Sequence, residues 1–323
     1  MENVLITGAT GFIGSHTAEL LVEQGYKVRA IIRNESRIEK LPHNVEPIIC
    51  SLFNPYQILD IIEDTHYFVH IAGLTKALHK RDFYRVNAES TRIWLEILSR
   101  YSAKLRRFIL LSSQAAVRPS SEPIDETAEP APLTDYGKSK LQAEQYARRY
   151  MEKIPITIIR APAVYGPRDR DIYFYFKLAS MGIVPLVGNP NRKFSAIYVE
   201  DLARAILLTM NNDVSNGEIF FVTDGEIYTW RQFGEEIGKV IGGRNLKIWL
   251  PGITLWIAAC VDEMKSFILR KPALLSFQKV RELLAPWVAD SSKFFDKLDF
   301  VPNYDMKSAV RKTAEWYRKN GWI

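Results

Sequence analysis

The first two dozen residues limit most tightly what this chain can fold into. Asn3-Val4-Leu5-Ile6 is a short apolar run, TGATGFIG follows with glycines at 8, 11 and 14, and FIGSHTAELLVEQG then carries a helical pattern as far as Gly25. A strand that passes through spaced glycines into a helix is the opening of a βαβ unit, and this context suits a phosphate-binding turn. Gly8 would permit the tight turn, Gly11 the close approach of backbone to a pyrophosphate, and Gly14 the packing of helix on strand. The first helical turn would point free N–H groups and its positive dipole end at an anion. Gly25 would cap the helix C-terminus.

The same rhythm continues. Short apolar runs near 3–7, 27–32, 45–49, 66–71, 106–112 and 156–160 alternate with helical patterns near 12–24, 55–63, 82–101 and 136–152, which predicts a parallel α/β sheet. After about residue 165 strict alternation stops. Residues 167–190 and about 218–300 read as a smaller lobe, a helix near 199–211 could return to the main sheet, and Met306 to Tyr317 form an amphipathic helix.

With 323 residues, 47% of them hydrophobic, a sizeable core is expected and disorder is not. The net charge of +6 is spread along the chain, without the basic face or motif that nucleic-acid binding needs, so no nucleic-acid partner is expected. Cys50 and Cys260 form no CxxC pair and read as reduced thiols of a cytoplasmic protein. Strand-like sequence from residue 3 leaves no place for a signal peptide. The apolar stretch Ile253 to Val261 is too short to span a bilayer; it reads as a buried helix or as one resting on a membrane surface. No metal site is expected.

The second strand, YKVRAIIRN, ends on Arg33-Asn34, with no acid before Glu35. An acidic residue there would bind the ribose hydroxyls of NAD, whereas an arginine suits a 2′-phosphate. The expectation is therefore NADP(H) over NAD(H), against the alternative of a solvated strand-end arginine.

FILLSSQAAV delivers Ser112 and Ser113 to a strand's C-terminal end, where α/β sheets place ligands. In TDYGKSKLQAEQYARRY, Tyr136 and Lys140 are one helical turn apart and share a face. A phenol near pKa 10 is a poor base at neutral pH, and a nearby ammonium would lower it. A serine hydroxyl could hold a carbonyl or alcohol oxygen while the tyrosine moves the proton.

Glycine loop, paired serines and YxxxK, in that order, resemble the short-chain dehydrogenase/reductase superfamily in its extended branch. Further matching pieces are FVHIAG, YRVNAESTR, IIRAPAVYGPRD, IYVEDLA and AVRKTAEWYRKNGWI. The likeness is to NAD-dependent epimerases and dehydratases, including the 3β-hydroxysteroid dehydrogenase-like and dihydroflavonol reductase-like enzymes. It implies a Rossmann-type doubly wound parallel sheet with a small mixed C-terminal substrate lobe. Residues 1–165 would form the dinucleotide domain, with 191–217 returning to it, and 166–190 with 218–323 mainly the lobe. By resemblance, Tyr136 is the acid/base, Lys140 lowers its pKa and binds the nicotinamide ribose, Ser113 holds the substrate oxygen, and Asn87 steadies the site. Gly8, Thr10, Gly11, Phe12, Ile13, Arg33, Ser51, Leu52, Ala72, Gly73, Ser112, Pro162 and Ala163 are the implied cofactor contacts. His70 would either join them or be a packed histidine at a strand end. A homodimer paired through the helices near 82–101 and 136–152 is also implied.

The chain departs from its relatives in places. Cys50-Ser51-Leu52 stands where many carry an acid that meets adenine. Gln114 and Ala115 replace the Asp-Glu pair of 4,6-dehydratases, which argues against dehydration. Thr75, Arg168, Arg192 and Lys193 are the candidate substrate contacts, the basic ones suiting a diphosphate. The expectation is an NAD(P)-dependent oxidoreductase or epimerase acting on a secondary alcohol or ketone, its small-molecule substrate a nucleotide sugar or an apolar alcohol or ketone. Alternatives are a simple ketone reductase of hydroxysteroid type and a non-catalytic NAD(P)-binding module.

Overall fold

The computed structural model describes residues 1–243 and 245–323. Its main sheet has seven strands: β1 (Asn3–Thr7), β2 (Lys27–Ile32), β3 (Glu46–Ile49), β4 (Tyr67–His70), β5 (Arg107–Ser113), β6 (Ile156–Ala161) and β7 (Ile219–Phe221). All are parallel, in the order β7-β6-β5-β4-β1-β2-β3. The sheet is therefore doubly wound, and its order reverses between β1 and β4.

Alternation along the strands builds two cores. Val4, Ile6, Val69, Ile109 and Ile159 face one side, under the helices Phe12–Glu23 and Val199–Asn211. Leu5, Phe68, Phe108, Leu110 and Ile158 face the other, under the helices Ser90–Tyr101 and Asp135–Arg148. A parallel sheet covered on both faces needs apolar residues at every position, and these strands supply them.

Three features differ from the rhythm of the sequence. Strand β7 and the helix Ser292–Leu298, both within 218–323, pack on the main sheet, with Phe294 and Leu298 in its core. Conversely, Ser120–Ile124 leaves the main sheet for a second one, where it pairs with Trp287–Ala289. The stretch read as one helix over 82–101 is broken by a π turn at Tyr84–Glu89. The smaller lobe has its own core around Tyr165, Phe176, Phe194, Phe233 and Tyr317. Phe176 of the aromatic run 171–179 is thus core. Among the described residues no helix is long and apolar enough to cross a membrane.

Candidate active site

The site lies where the strand order reverses, at the carboxyl ends of β1 and β4, and the loops there are in very close contact. Gly8 has φ +84°, and a Cβ on it would stand 2.7 Å from the Ala72 backbone nitrogen. Glycine is thus required twice over, for its conformation and for the approach of the two loops. A Cβ on Gly14 would meet the Gly8 carbonyl oxygen at 2.1 Å, so this glycine seats the first helix on the loop. Gly11 is the N-cap of that helix, and no side chain caps it. Its first-turn N–H groups can therefore serve a phosphate, and the cradle fits the pyrophosphate of a dinucleotide.

Thr7 ties the two loops together. Its Oγ1 accepts from the Ala72 N–H at 3.2 Å and lies 2.8 Å from His70 Nδ1. His70 is buried between these contacts and Ser90, and burial, with the Lys140 charge nearby, pulls its pKa down to about 3. Its side chain is a neutral strut of the switch point.

Asn87 sits on the π turn, buried, with its amide paired to both backbone groups of Leu74 and to Ser139 Oγ. It holds the segment 71–75 against the helix Asp135–Arg148 and is a positioning residue. A Cβ on Gly73 would stand 3.2 Å from Asn87 Oδ1 and 3.3 Å from Lys140 Nζ, so Gly73, Asn87 and Lys140 meet at one point.

The helix Asp135–Arg148 begins at Thr134, whose Oγ1 accepts from the Gly137 N–H at 3.1 Å. A Cβ on Gly137 would collide with the Ala115 carbonyl at 2.1 Å. Gly137 therefore lets the helix close on the turn after β5 and brings the Tyr136 phenol beside the Ser113 hydroxyl. Burial pushes Tyr136 up to about 12, with Ser113 acting in the opposite sense. The expected lowering of Tyr136 by Lys140 does not operate in this state. The Lys140 ammonium donates to the Leu111 carbonyl at 2.8 Å, and its burial pulls its own pKa down to about 8.

Tyr136 faces a cavity of about 580 Å³, also walled by Thr75, Leu78, Phe83, Phe267, Leu274 and Glu282. The Phe83 ring meets the Tyr136 ring edge-on, 6.4 Å between centroids. Three lysines border it, and each is paired: Lys76 with Asp171, Lys80 with Asp135, and Lys279 with Glu282.

The other sequence candidates lie in varied places. Ser112 is buried and its hydroxyl donates to Glu144 Oε1 at 2.6 Å, as part of a buried Glu144–Arg160 ion pair. Glu144 Oε1 also accepts from Arg160 Nε at 3.0 Å, so the Ser112 hydroxyl belongs to a buried polar cluster. Arg168 reaches the first helix, bonding Glu19 and Ser15. Lys193 is 3.6 Å from Glu122, and Arg192 is half-buried over the Trp230 ring. Arg33 is exposed at the end of β2, without an ion pair among the described residues, and Ser51 is exposed and Leu52 half-buried after β3. Thr10, Phe12, Ile13, Pro162 and Ala163 are half-buried around the same loops.

Sequence reasoning missed Gln278, which donates to Asp135 Oδ2 at 2.7 Å and accepts from the Asp135 N–H at 2.6 Å, pinning the lobe to the tyrosine helix. Nothing local marks it, since the two residues are far apart in the chain. Thr134 was legible as a threonine before a helical run.

The sequence model described as the NAD dependent epimerase/dehydratase family matches residues 4–222. The chain belongs to the NAD-dependent epimerase/dehydratase family. Curated proteins similar to this family member include a ceramide reductase of Caulobacter vibrioides, 29% identical, with 99% of this chain and 96% of the relative covered. A decarboxylating sterol-4-alpha-carboxylate 3-dehydrogenase of Dictyostelium discoideum is 27% identical, covering 81% of this chain and 85% of the relative. Among solved structures, UDP-glucose 4-epimerase of Thermotoga maritima, with UDP-glucose, has a TM-score of 0.80 at 23% identity, covering 98% of this chain and 99% of that one, and shows the shared fold.

Proposed function

We propose that this family member is an NAD(P)-dependent oxidoreductase that interconverts a ketone and a secondary alcohol on a largely apolar molecule, with NADP(H) preferred. The observation that carries this reading is the wall of the cavity at Tyr136. Leu78, Phe83, Phe267 and Leu274 give it an apolar side among polar groups, its bordering lysines are already paired, Arg168 and Lys193 are paired elsewhere, and Arg192 lies outside its lining. A nucleotide diphosphate would require free cations there. The ceramide and sterol activities named for the two relatives agree in kind.

A reduced nicotinamide, when bound, would supply the hydride for the carbonyl carbon. The Ser113 hydroxyl donates to the carbonyl oxygen and orients it. The Tyr136 phenol, protonated at neutral pH, gives its proton to that oxygen as negative charge develops on it. Ketone, hydride and proton thus become a secondary alcohol, with Tyr136 left as phenolate until water reprotonates it. Lys140, whose ammonium donates to the Leu111 carbonyl, would be the cation that binds the nicotinamide ribose. Gly8, Gly11 and the open first turn would hold the pyrophosphate, and Arg33 would meet a 2′-phosphate.

The test is to incubate the protein with NADPH and long-chain ketones, and separately with nucleotide sugars, while following the absorbance of reduced nicotinamide. Stoichiometric NADPH consumption with an apolar ketone is expected. Isomerisation of a nucleotide sugar without net change in absorbance would replace this reading with the epimerase one.

A further inference from the structure

The helix Ile253–Leu269 presents its apolar face to water. Only Ala259 among its 17 residues is buried. Ile253, Ile257, Val261, Met264 and Ile268 recur at helical spacing, so they share one face, and all five are exposed. Phe267, at the edge of that face, is 85% exposed. The stripe covers roughly 120° of the helix at 3.6 residues per turn. An unbroken exposed apolar face of this kind marks an interaction surface.

The charges around it select the partner. Lys265, Arg270 and Lys271 are exposed at the same end of the helix and make no ion pair among the described residues. The acids turn inward: Asp262 accepts from the Leu275 N–H and Glu263 from the Phe277 N–H, each at 2.8 Å. The face is therefore apolar with an uncompensated positive rim, which complements an anionic lipid surface. A second copy of the chain would bring the same cations to the contact. At about 25 Å the helix is too short to cross a bilayer but suits lying along its surface.

The patch is continuous with the active site, because Phe267 and Leu274 are exposed and also wall the cavity at Tyr136. We propose that this helix docks on a bilayer carrying anionic lipid, with its apolar stripe among the acyl chains and Lys265, Arg270 and Lys271 on the headgroup phosphates, so that the cavity opens towards the membrane. Docking stands on this surface alone, whereas delivery of an apolar substrate from the membrane rests on the reading of the Tyr136 site given above.

Flotation of the full chain with vesicles of phosphatidylcholine alone, and of phosphatidylcholine mixed with phosphatidylglycerol, tests it. Binding to the mixed vesicles is expected, falling with added salt. The double variant Ile257→Glu/Ile268→Glu should lose binding, and Arg270→Glu/Lys271→Glu should weaken it by at least about fivefold per charge removed. Both should keep the turnover of a short, soluble ketone, which shows that they fold. Absence of wild-type binding, or binding unchanged in Ile257→Glu/Ile268→Glu, would overturn the proposal. So would a dimer, seen by sedimentation without vesicle binding, that this variant splits, for then a second copy covers the face. Tyr136→Phe should bind vesicles as the wild type does, so that failure of the site reading and failure of docking are distinguishable.

Discussion

The Asn87 side-chain amide pairs with the backbone of Leu74 in both directions, its Oδ1 accepting from the N–H at 2.7 Å and its Nδ2 donating to the carbonyl at 3.0 Å. One side chain thus does for the segment 71–75 what a neighbouring strand would do. Asn87→Ala would leave both backbone groups of Leu74 short of a partner, while the Ser139 hydroxyl keeps its bond to the Tyr136 carbonyl. The expected cost is about 2–4 kcal/mol of stability, since each buried orphan costs about 1–3 kcal/mol. Turnover should fall more than dinucleotide affinity, as the variant moves the segment around Lys140 rather than the phosphate cradle. Denaturant titration together with steady-state kinetics checks both parts.

Gly8 and Gly25 offer a matched comparison. Both have positive φ, +84° and +83°, but Gly25 has open space where a Cβ would go and Gly8 has the Ala72 nitrogen at 2.7 Å. Gly25→Ala should cost only the conformational strain, about 1–2 kcal/mol. Gly8→Ala should cost more and should abolish dinucleotide binding, because the loops must part. Calorimetric melts with and without NADP+ would show a ligand-induced rise in Tm for Gly25→Ala and none for Gly8→Ala.

Arg33→Glu tests the cofactor preference. Its guanidinium is exposed at the end of β2 and unpaired among the described residues, so the substitution removes little from the fold. Affinity for NADP+ should fall at least tenfold, the loss of a charge-assisted contact and gain of a repulsive one, while affinity for NAD+ holds or rises. Equal effects on both would show that Arg33 does not meet the 2′-phosphate.

Much of this fold was readable because its signals are local. Apolar runs, spaced glycines and YGKSK each declare their element within a few residues, and six of the seven main-sheet strands were placed from them. The rest depends on distant partners. Ser112 and Ser113 look alike in sequence, and what tells their surroundings apart is a distant pair: Glu144, held by Arg160, accepts from the Ser112 hydroxyl, whereas Ser113 Oγ accepts from the Ala115 N–H. Gly137 reads as a helix-weakening residue until Ala115 is seen 2.1 Å from its missing Cβ. The π turn at Tyr84–Glu89 has no composition of its own. The run from Ile253 read either as a buried helix or as one resting on a membrane surface, because apolarity alone does not say which side of it faces protein.

Asp169 makes stability depend on pH. It is buried, and burial pushes its carboxyl up to about 7 despite the backbone N–H groups of Asp171 and Ile172 that it accepts. Its folded pKa lies above that of the unfolded chain, near 3.9, so between these values the folded state holds more protons. Stability should therefore fall as pH rises from about 4 to about 7, by up to about 1.4 kcal/mol per unit from this group, and level off above. Asp224, also raised to about 7 by burial, acts in the same sense. Asp169→Asn should flatten the dependence, as measured by urea midpoints across that range. A wild-type midpoint rising through the same range would contradict the assignment.

Tyr136 has the opposite position relative to neutral pH. Raised to about 12, its phenol is protonated throughout the physiological range. Reduction of a ketone uses that protonated form, so loss of the Tyr136 proton should not slow reduction until strongly alkaline pH. Oxidation of an alcohol needs the phenolate, whose fraction grows about tenfold per unit below the pKa, so oxidation should rise steeply with pH from neutrality. Tyr136→Phe removes the transferable proton in both directions while keeping the ring that packs on Phe83. The expected loss of turnover is about 10²–10⁴-fold, with NADPH affinity and Tm close to those of the wild type. Parallel pH–rate profiles in the two directions make the check: steep for oxidation, flat for reduction, and both lost in Tyr136→Phe. A variant that kept the wild-type rate would show that the proton comes from another group.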